Sequence, residues 1–400
     1  MSIKPIELGR EGQSMEQVIL FGTGRYGQMA YQIYGKDAIA YYIDNDSKKV
    51  GTEVNGINVR AVDDAVLDSN KYRIILCSIH YELMEQQLHQ LGYTNYEIFS
   101  ELKRFYPSTE FIYNPYEKSS ERDLIEEDFI EKSNNSKMID TINYRTDLLY
   151  TESKVFDHVE IETINRCNGV CDFCPVSKNH DTREFHKMSR KLFERIIDQL
   201  AEINYSGRIA LFSNNEPFLD EDIISKNKYT REKLPNAYIH LWTNGTLLTV
   251  EKFVDIIQYL DELIIDNYQQ ELRLIKPCEQ IVAYCEEHPE LKKKVTIVLR
   301  KPHEIMTTRG GDAPNREKMV SYPHVKCPLP FKQLIVRPDG KVSLCCNDPL
   351  GKDTLGDLSK ETVLEVWNGD KFKLVRECIH KGRGYWKHCE FCDLFITGGN

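Results

Sequence analysis

Residues 163–178 read TINRCNGVCDFCPVSK and place three cysteines, Cys167, Cys171 and Cys174, within eight positions. Three thiolates so close together point to a metal site, yet the set is one ligand short. Structural zinc takes four ligands in paired C-x2-4-C spacing, and His180 is the nearest residue able to complete it. An iron–sulfur cube with four protein thiolates asks for a further cysteine, and the next one downstream is Cys278. A cube held by only three thiolates leaves one iron able to take a ligand from outside the protein.

The segment around this stretch alternates strand and helix. VFDHVEIETINRC is a strand that delivers Cys167 at its carboxyl end, and MSRKLFERIIDQLAEI is an amphipathic helix with Leu192, Ile196 and Leu200 on one stripe. The strands GRIALFS, YIHLWTNG, DELIIDNY and KKVTIVLR follow, with VEKFVDIIQYL and LIKPCEQIVAYCEEH as helices. Repeated βα units predict a parallel sheet whose active site lies at the carboxyl ends of the strands.

C-x3-C-x2-C with an aromatic residue, Phe173, before the last cysteine resembles the signature of the radical S-adenosylmethionine (SAM) enzymes. The resemblance implies a partial (β/α)6 TIM-like barrel in which Cys167, Cys171 and Cys174 hold a [4Fe–4S] cluster. The amino and carboxylate groups of SAM then fill the open iron. Asn214-Asn215-Glu216-Pro217 stands where the family carries a glycine-rich motif ending in Glu-Pro that holds the SAM amino group, with asparagines in place of glycines. Thr243 and Asn244 of LWTNGTLL match the family's Thr-Asn-Gly strand end, and Asp266 and Asn267 occupy the place of its ribose-contacting residues. The resemblance covers roughly residues 155–305.

The carboxyl-terminal part is also rich in cysteine. Cys327, Gly340 and Cys345 lie in CPLPFKQLIVRPDGKVSLCC, where RPDGK between apolar runs reads as a β-hairpin turn, and Cys389-x-x-Cys392 follows. These four thiolates can ligate one [4Fe–4S] cube or form a zinc ribbon, and spacing alone does not separate the two. C-x12-G-x4-C resembles the opening of the SPASM extension of radical SAM enzymes, and GDLSKETVLEVWNGDKFKLVRE is typical of it. The extra C-x2-C-x5-C set of the full extension is missing, so the resemblance is to the shortened twitch form, with one auxiliary cluster on Cys327, Cys345, Cys389 and Cys392. Cys346 is read as a neighbour of that cluster, and Cys378 is left over.

The amino-terminal part begins QVILFGTGRYGQMAYQIYG, a short apolar strand running into Gly22-x-Gly24-x-x-Gly27 and a helix. A second strand, AIAYYIDND, ends in Asp44, where the dinucleotide fingerprint places an acid for the ribose hydroxyls. The unit closes near residue 100, which is short for a full NAD domain. YYIDNDSKKVGTEVNGINV also resembles the small Rossmann-like domain at the start of sugar acyltransferases, which holds a nucleotide-sugar. The expected organisation is therefore a Rossmann-like domain over 1–100, a linker with some helix over 101–150, a radical SAM core over 151–310 and a SPASM/twitch domain over 311–400.

Composition narrows the partners. A net charge of −10 repels a phosphate backbone and disfavours nucleic acid. No apolar run reaches membrane-spanning length. The opening MSIKPIELGREGQSMEQ alternates polar and charged positions where a signal peptide needs an apolar region, so a cytoplasmic setting is expected. There, twelve cysteines are poorly explained as disulfides.

The family resemblance implies reductive cleavage of SAM by a flavodoxin- or ferredoxin-type donor and hydrogen abstraction by a 5′-deoxyadenosyl radical. An auxiliary cluster adds an electron acceptor, which favours oxidation of a secondary alcohol on a sugar-like, nucleotide-linked or free, substrate. The alcohol must also lose a proton, and Arg309, Arg300, Asp312 and Glu304 of VLRKPHEIMTTRGGDAPN are candidates for that step. Epimerisation with Cys346, Cys278 or Cys285 as hydrogen donor, peptide maturation, and a zinc-stapled glycan-pathway binding module without turnover are the alternatives.

Overall fold

Strand β1 (Val18–Phe21) is buried at all four positions, as a strand covered on both faces must be. In this computed structural model, which describes residues 17–63, 71–78, 81–105, 110–117, 136–152 and 155–395, β1 lies inside a six-stranded sheet. The first sixteen residues, which carry most of the signal-peptide reading, and residues 118–135 of the expected linker fall outside the described residues. The chain divides into two compact units, the first ending at Ser108 and the second running from Thr109 to Gly398.

The first unit adds β2 (Ile39–Ile43), β3 (Glu53–Val54), β4 (Ile57–Arg60), β5 (Arg73–Leu76) and β6 (Tyr96–Ile98), in the order β3-β4-β2-β1-β5-β6. All neighbours are parallel except the β3–β4 hairpin. The helix Arg25–Tyr34 follows β1 directly, and its approach depends on glycine. A Cβ on Gly27 would stand 2.1 Å from the Gly22 carbonyl oxygen. Gly22 has a φ of +106° and would bring a Cβ to 2.9 Å from the Cys77 oxygen. At Gly24 nothing lies within 4 Å. Gly27→Ala is therefore expected to destabilise this unit by about 1–3 kcal/mol, because the obstructing atom is backbone and cannot swing aside. Urea unfolding of parent and variant measures it.

The second unit is built on a nine-stranded sheet. Its strands are β7 (Ile112–Tyr113), β8 (His158–Ile161), β9 (Arg208–Ala210), β10 (Tyr238–Thr243), β11 (Glu262–Tyr268), β12 (Val295–Arg300), β13 (Gln333–Val336), β14 (Lys341–Ser343) and β15 (Thr354–Asp357). They run in the order β15-β14-β13-β8-β9-β10-β11-β12-β7. From β13 to β7 every pair is parallel, and β14 and β15 extend the sheet antiparallel through the RPDGK hairpin. The stretch expected as a linker supplies β7 and a helix, Ser136–Glu152.

One side of this sheet packs conventionally. Val159 and Ile161 of β8 share a hydrophobic cluster with Phe193, Ile196, Ile197 and Leu200 of the helix Arg190–Glu202, with Leu192 at its margin. That helix is capped by Ser189, whose hydroxyl accepts from the Leu192 amide at 3.3 Å. The alternate positions are different in kind: His158, Glu160, His240, Glu262 and Gln333 are polar and buried, and so is Glu162 just beyond β8. Buried polar groups need partners, and these lie directly below the strand ends that carry the cysteine motif.

Candidate active site

The loop leaving β8 carries the three-cysteine motif. The Gly169 amide donates to Cys167 Sγ at 3.3 Å, and a Cβ on Gly169 would stand 3.3 Å from Cys167 Sγ and 3.9 Å from Cys171 Sγ. The absent side chain thus leaves room between two converging thiols. Burial pushes the Cys167 thiol up to about 12 and the Cys171 thiol well up, and each also feels Cys174. Without a bound cation these thiols keep their protons; a metal would displace them. Phe173 is buried against Tyr268, ring centres 5.9 Å apart.

The ends of β9 and β10 are tied together by Glu216, which is 1% exposed. Its carboxylate accepts from the Phe218 amide at 3.0 Å, the Thr243 hydroxyl at 2.8 Å and the Asn244 amide at 2.8 Å. Burial raises its carboxyl, and these donors hold it back. Pro217 opens the short turn that follows. Asn244 Nδ2 donates to Asn168 at 2.8 Å and lies 3.9 Å from Cys167 Sγ. Asn215 accepts from the Ser213 amide, and its Nδ2 is buried without a partner among the described residues.

Cys327, Cys345, Cys389 and Cys392 form the second group. Burial raises the Cys345 thiol, which also feels Cys346, Cys389, Cys327 and Cys392. Against this group lies Arg383, 1% exposed. Its guanidinium donates to the Cys392 oxygen at 2.5 Å and the Leu394 oxygen at 2.6 Å, and all four thiols favour its charged form. Burial raises the Cys346 thiol too, and Glu160 and Arg309 act on it ahead of Cys327 and Cys392.

Between the two cysteine groups lies a buried polar cluster. Asn214 ties it together: its amide donates to Glu162 at 3.1 Å, its Nδ2 donates to the Cys346 oxygen at 3.2 Å, and its Oδ1 accepts from Arg309. Arg309 has a φ of +52°, a left-handed conformation that non-glycine residues adopt at a cost of about 1–3 kcal/mol. The preceding Thr308 is pinned to Asp393, its amide 2.7 Å from Oδ1, and its hydroxyl donates to the Phe391 oxygen at 2.6 Å. The strained turn is thus anchored on the Cys389–Cys392 loop and aims at the β9 end. Glu160 and Glu162, unmarked by the sequence analysis, complete the cluster. A charged residue at alternate positions of a strand that should be buried on both faces was the signal available for them.

Residues 161–269 match the radical SAM superfamily, and residues 327–393 match SPASM, an iron–sulfur cluster-binding domain. The chain carries a radical SAM domain and a SPASM domain. A curated relative, the S-adenosyl-L-methionine-dependent 2-deoxy-scyllo-inosamine dehydrogenase of Niallia circulans, is 28% identical over 243 residues, 60% of this chain and 94% of that protein. The crystal structure of BtrN in complex with AdoMet and 2-DOIA has a similar fold, with a TM-score of 0.52 at 23% identity over 61% of this chain and 98% of that one.

These domains bring a SAM-binding [4Fe–4S] cluster, SAM and auxiliary iron–sulfur chemistry, and the residues present suit them. All twelve cysteines are free thiols. The fully buried Arg383 is matched by thiols, which become anionic only on binding metal. Among the described residues no three His, Cys, Asp or Glu side chains are set as ligands of a single metal ion. No helix among the described residues is long and apolar enough to cross a membrane.

The other candidate residues separate into two places. Beyond the carboxyl end of β12, Arg300 pairs with Glu304 at 2.6 Å, and the Tyr116 hydroxyl donates to Glu304 at 2.5 Å. Burial pushes Asp266 there up to about 6, with Arg300 pulling it down and Glu304 pushing it up. Asn267 is occupied with its own loop, accepting from the Ile275 amide at 2.8 Å. Asp312, beyond the Arg309 turn, pairs with Lys352. Cys278 and Cys285 lie in the hydrophobic core on the helix Lys276–Glu287. In the first unit, Asp44 accepts from the Thr23 amide at 3.0 Å and hydroxyl at 2.6 Å and from the Asp46 amide at 3.0 Å, so its carboxylate closes the Gly22–Gly27 loop.

Proposed function

We propose that this radical SAM enzyme oxidises a secondary alcohol of an amino-sugar-like or aminocyclitol substrate to a ketone. The observation that carries the reading is Asn214, which joins the Glu216 strand end to Arg309 and to the backbone beside Cys345, so that both cysteine groups border one buried polar cluster. The character of the relative from Niallia circulans points the same way. Cys167, Cys171 and Cys174 would hold the SAM cluster, and Cys327, Cys345, Cys389 and Cys392 one auxiliary [4Fe–4S] cluster. When bound, the first supplies reductive SAM cleavage, fed by a donor of the flavodoxin or ferredoxin class, and the second accepts one electron.

The chain's own residues do the positioning. Phe173, Asn214, Asn215, Glu216, Pro217, Thr243, Asn244 and Asp266 would line the SAM side. Arg309 supplies a fixed cation beside the substrate hydroxyl, and its orphaned Nε together with Asn215 Nδ2 offers donors that a polyol or amino sugar can satisfy. A cytoplasmic setting keeps the thiols reduced for cluster assembly. The test is reduction of reconstituted enzyme with aminocyclitols and amino sugars, following SAM, 5′-deoxyadenosine and ketone. One ketone per SAM consumed supports the reading. Recovery of an inverted alcohol carrying one solvent hydrogen would favour epimerisation, for which Cys346 is the thiol facing the polar cluster.

For the first unit we propose nucleotide or nucleotide-sugar binding at the Gly22–Gly27 loop. Gly24, with open space where its side chain would be, caps a helix whose first amides are free to meet a phosphate. Gly24→Ala fits this backbone without a clash, so it should weaken binding of UDP-sugars at least tenfold in calorimetry without lowering stability. No binding to the parent at millimolar UDP-sugar removes the assignment.

A further inference from the structure

Glu160 differs from three other buried carboxylates of the same unit. Glu162 meets Arg183 at 3.1 Å, Asp220 meets Lys226 at 2.5 Å, and Asp393 meets Arg316 at 3.0 Å. Glu160 is 6% exposed, and among the described residues it makes no close ion pair with a lysine or arginine, Arg309 and Arg208 acting on it from farther away. Its Oε2 accepts the Ser213 hydroxyl at 2.5 Å, and its Oε1 lies 3.5 Å from His158 Nε2. His158 is kept neutral by burial, with Arg208 and Lys332 lowering it further, so this contact is no ion pair.

The groups facing Glu160 come from several elements. His158 and Glu162 lie on or next to its own strand, Arg208 and Ser213 come from β9 and the turn after it, Arg309 from the strained turn, and Cys346 from the segment after β14. His240 of β10 stands behind His158, ring centres 5.4 Å apart. Glu160 is therefore a buried, hydrogen-bonded carboxylate at the boundary between the SAM side and the auxiliary-cluster side.

Resting on the dehydrogenase reading, we propose that Glu160 accepts the hydroxyl proton of the substrate during alcohol oxidation. Making a ketone breaks one C–H and one O–H bond and forms the C=O π bond. The hydrogen atom on carbon leaves with the 5′-deoxyadenosyl fragment of SAM, the O–H proton forms a new O–H bond on the Glu160 carboxylate, and the remaining electron leaves to the auxiliary iron–sulfur centre. Arg309 cannot take that proton, because a guanidinium stays charged in proteins. Its fixed charge instead favours the alkoxide-like oxygen as the proton leaves and lowers Glu160 from where burial alone would put it.

Burial pushes the Glu160 carboxyl up to about 7, against the pull of Ser213, Arg309 and Arg208, so the accepting form is lost as pH falls through neutrality. Ketone formed per 5′-deoxyadenosine should then fall below pH about 7 in the parent, and drop about a hundredfold in Glu160→Gln. Ser213→Ala, which removes a hydrogen bond that favours the charged form, should move the midpoint upward and gives the same information if the Gln variant fails to fold. A readout that needs no turnover is the infrared spectrum of protonated buried carboxyls in the full chain, in which Glu160→Gln should lose one component titrating near neutral pH while those of Glu162 and Asp266, which burial also raises, remain. An unchanged ketone ratio in Glu160→Gln, or a carboxyl spectrum that titrates identically in parent and variant, overturns the assignment. Absence of ketone from the parent with every aminocyclitol and amino sugar overturns the dehydrogenase reading instead, and the role of Glu160 with it.

Discussion

Cys171→Ser is expected to reduce 5′-deoxyadenosine formation to background while the chain stays folded. Cys171 is 7% exposed and converges with Cys167 over the bare Gly169 backbone, so a serine there keeps the position and changes only the ligand atom. A serine hydroxyl keeps its proton far more tightly than a thiol and is a poor ligand for iron, which prefers thiolate in these clusters. The measurement is 5′-deoxyadenosine released after dithionite reduction, with iron content as companion. Cys378→Ser is the control, because Cys378 stands apart from both cysteine groups on the helix Asp370–Lys381. Retained SAM cleavage in Cys171→Ser would remove the three-cysteine cluster.

Arg383→Met is expected to lower iron content by about half and to destabilise the iron-loaded chain by about 3–5 kcal/mol, the usual result of removing one partner of a buried charge pair. Arg383 is surrounded by Cys327, Cys345, Cys389 and Cys392, with the Phe395 ring 5.0 Å away and backbone oxygens filling its donor positions. Its charge is balanced only when those thiols become metal-bound thiolates. The sign should therefore invert without metal: in iron-free protein the same substitution removes an uncompensated buried cation and should be neutral or stabilising. Arg383→Lys keeps the charge but loses the forked geometry, and should retain more iron than the Met variant. Equal melting and equal iron in parent and Met variant would show that Arg383 is not the counter-charge of the second cluster.

Much of this molecule is legible from local chemistry. The three cysteines of the first motif fall in one loop at a strand end, and local spacing alone brings Cys167 and Cys171 together over Gly169. The Asn-Glu-Pro and Thr-Asn-Gly segments are strand ends recognisable one at a time, and the structure links them through Glu216 and Thr243. The glycine loop after β1 is similarly local, with Gly22 and Gly27 explained by close backbone approach.

Glu160 and Ser213 carry no such mark, and Arg309 and Cys346, though candidates from the sequence, carry no local sign that they meet them. Their meeting depends on β8 lying between β13 and β9, with Glu160 in register with Ile335 and Ala210. Arg383 belongs to a turn after a helix and becomes a buried counter-charge only because that turn closes over two cysteine pairs distant in sequence. Ligand spacing within a loop is set by a few backbone angles, and the amino-acid order determines it directly. Which distant strands become neighbours depends on non-local packing of the whole sheet, so the tertiary structure alone decided which carboxylate stands beside Ser213 and which cation meets the four carboxyl-terminal cysteines.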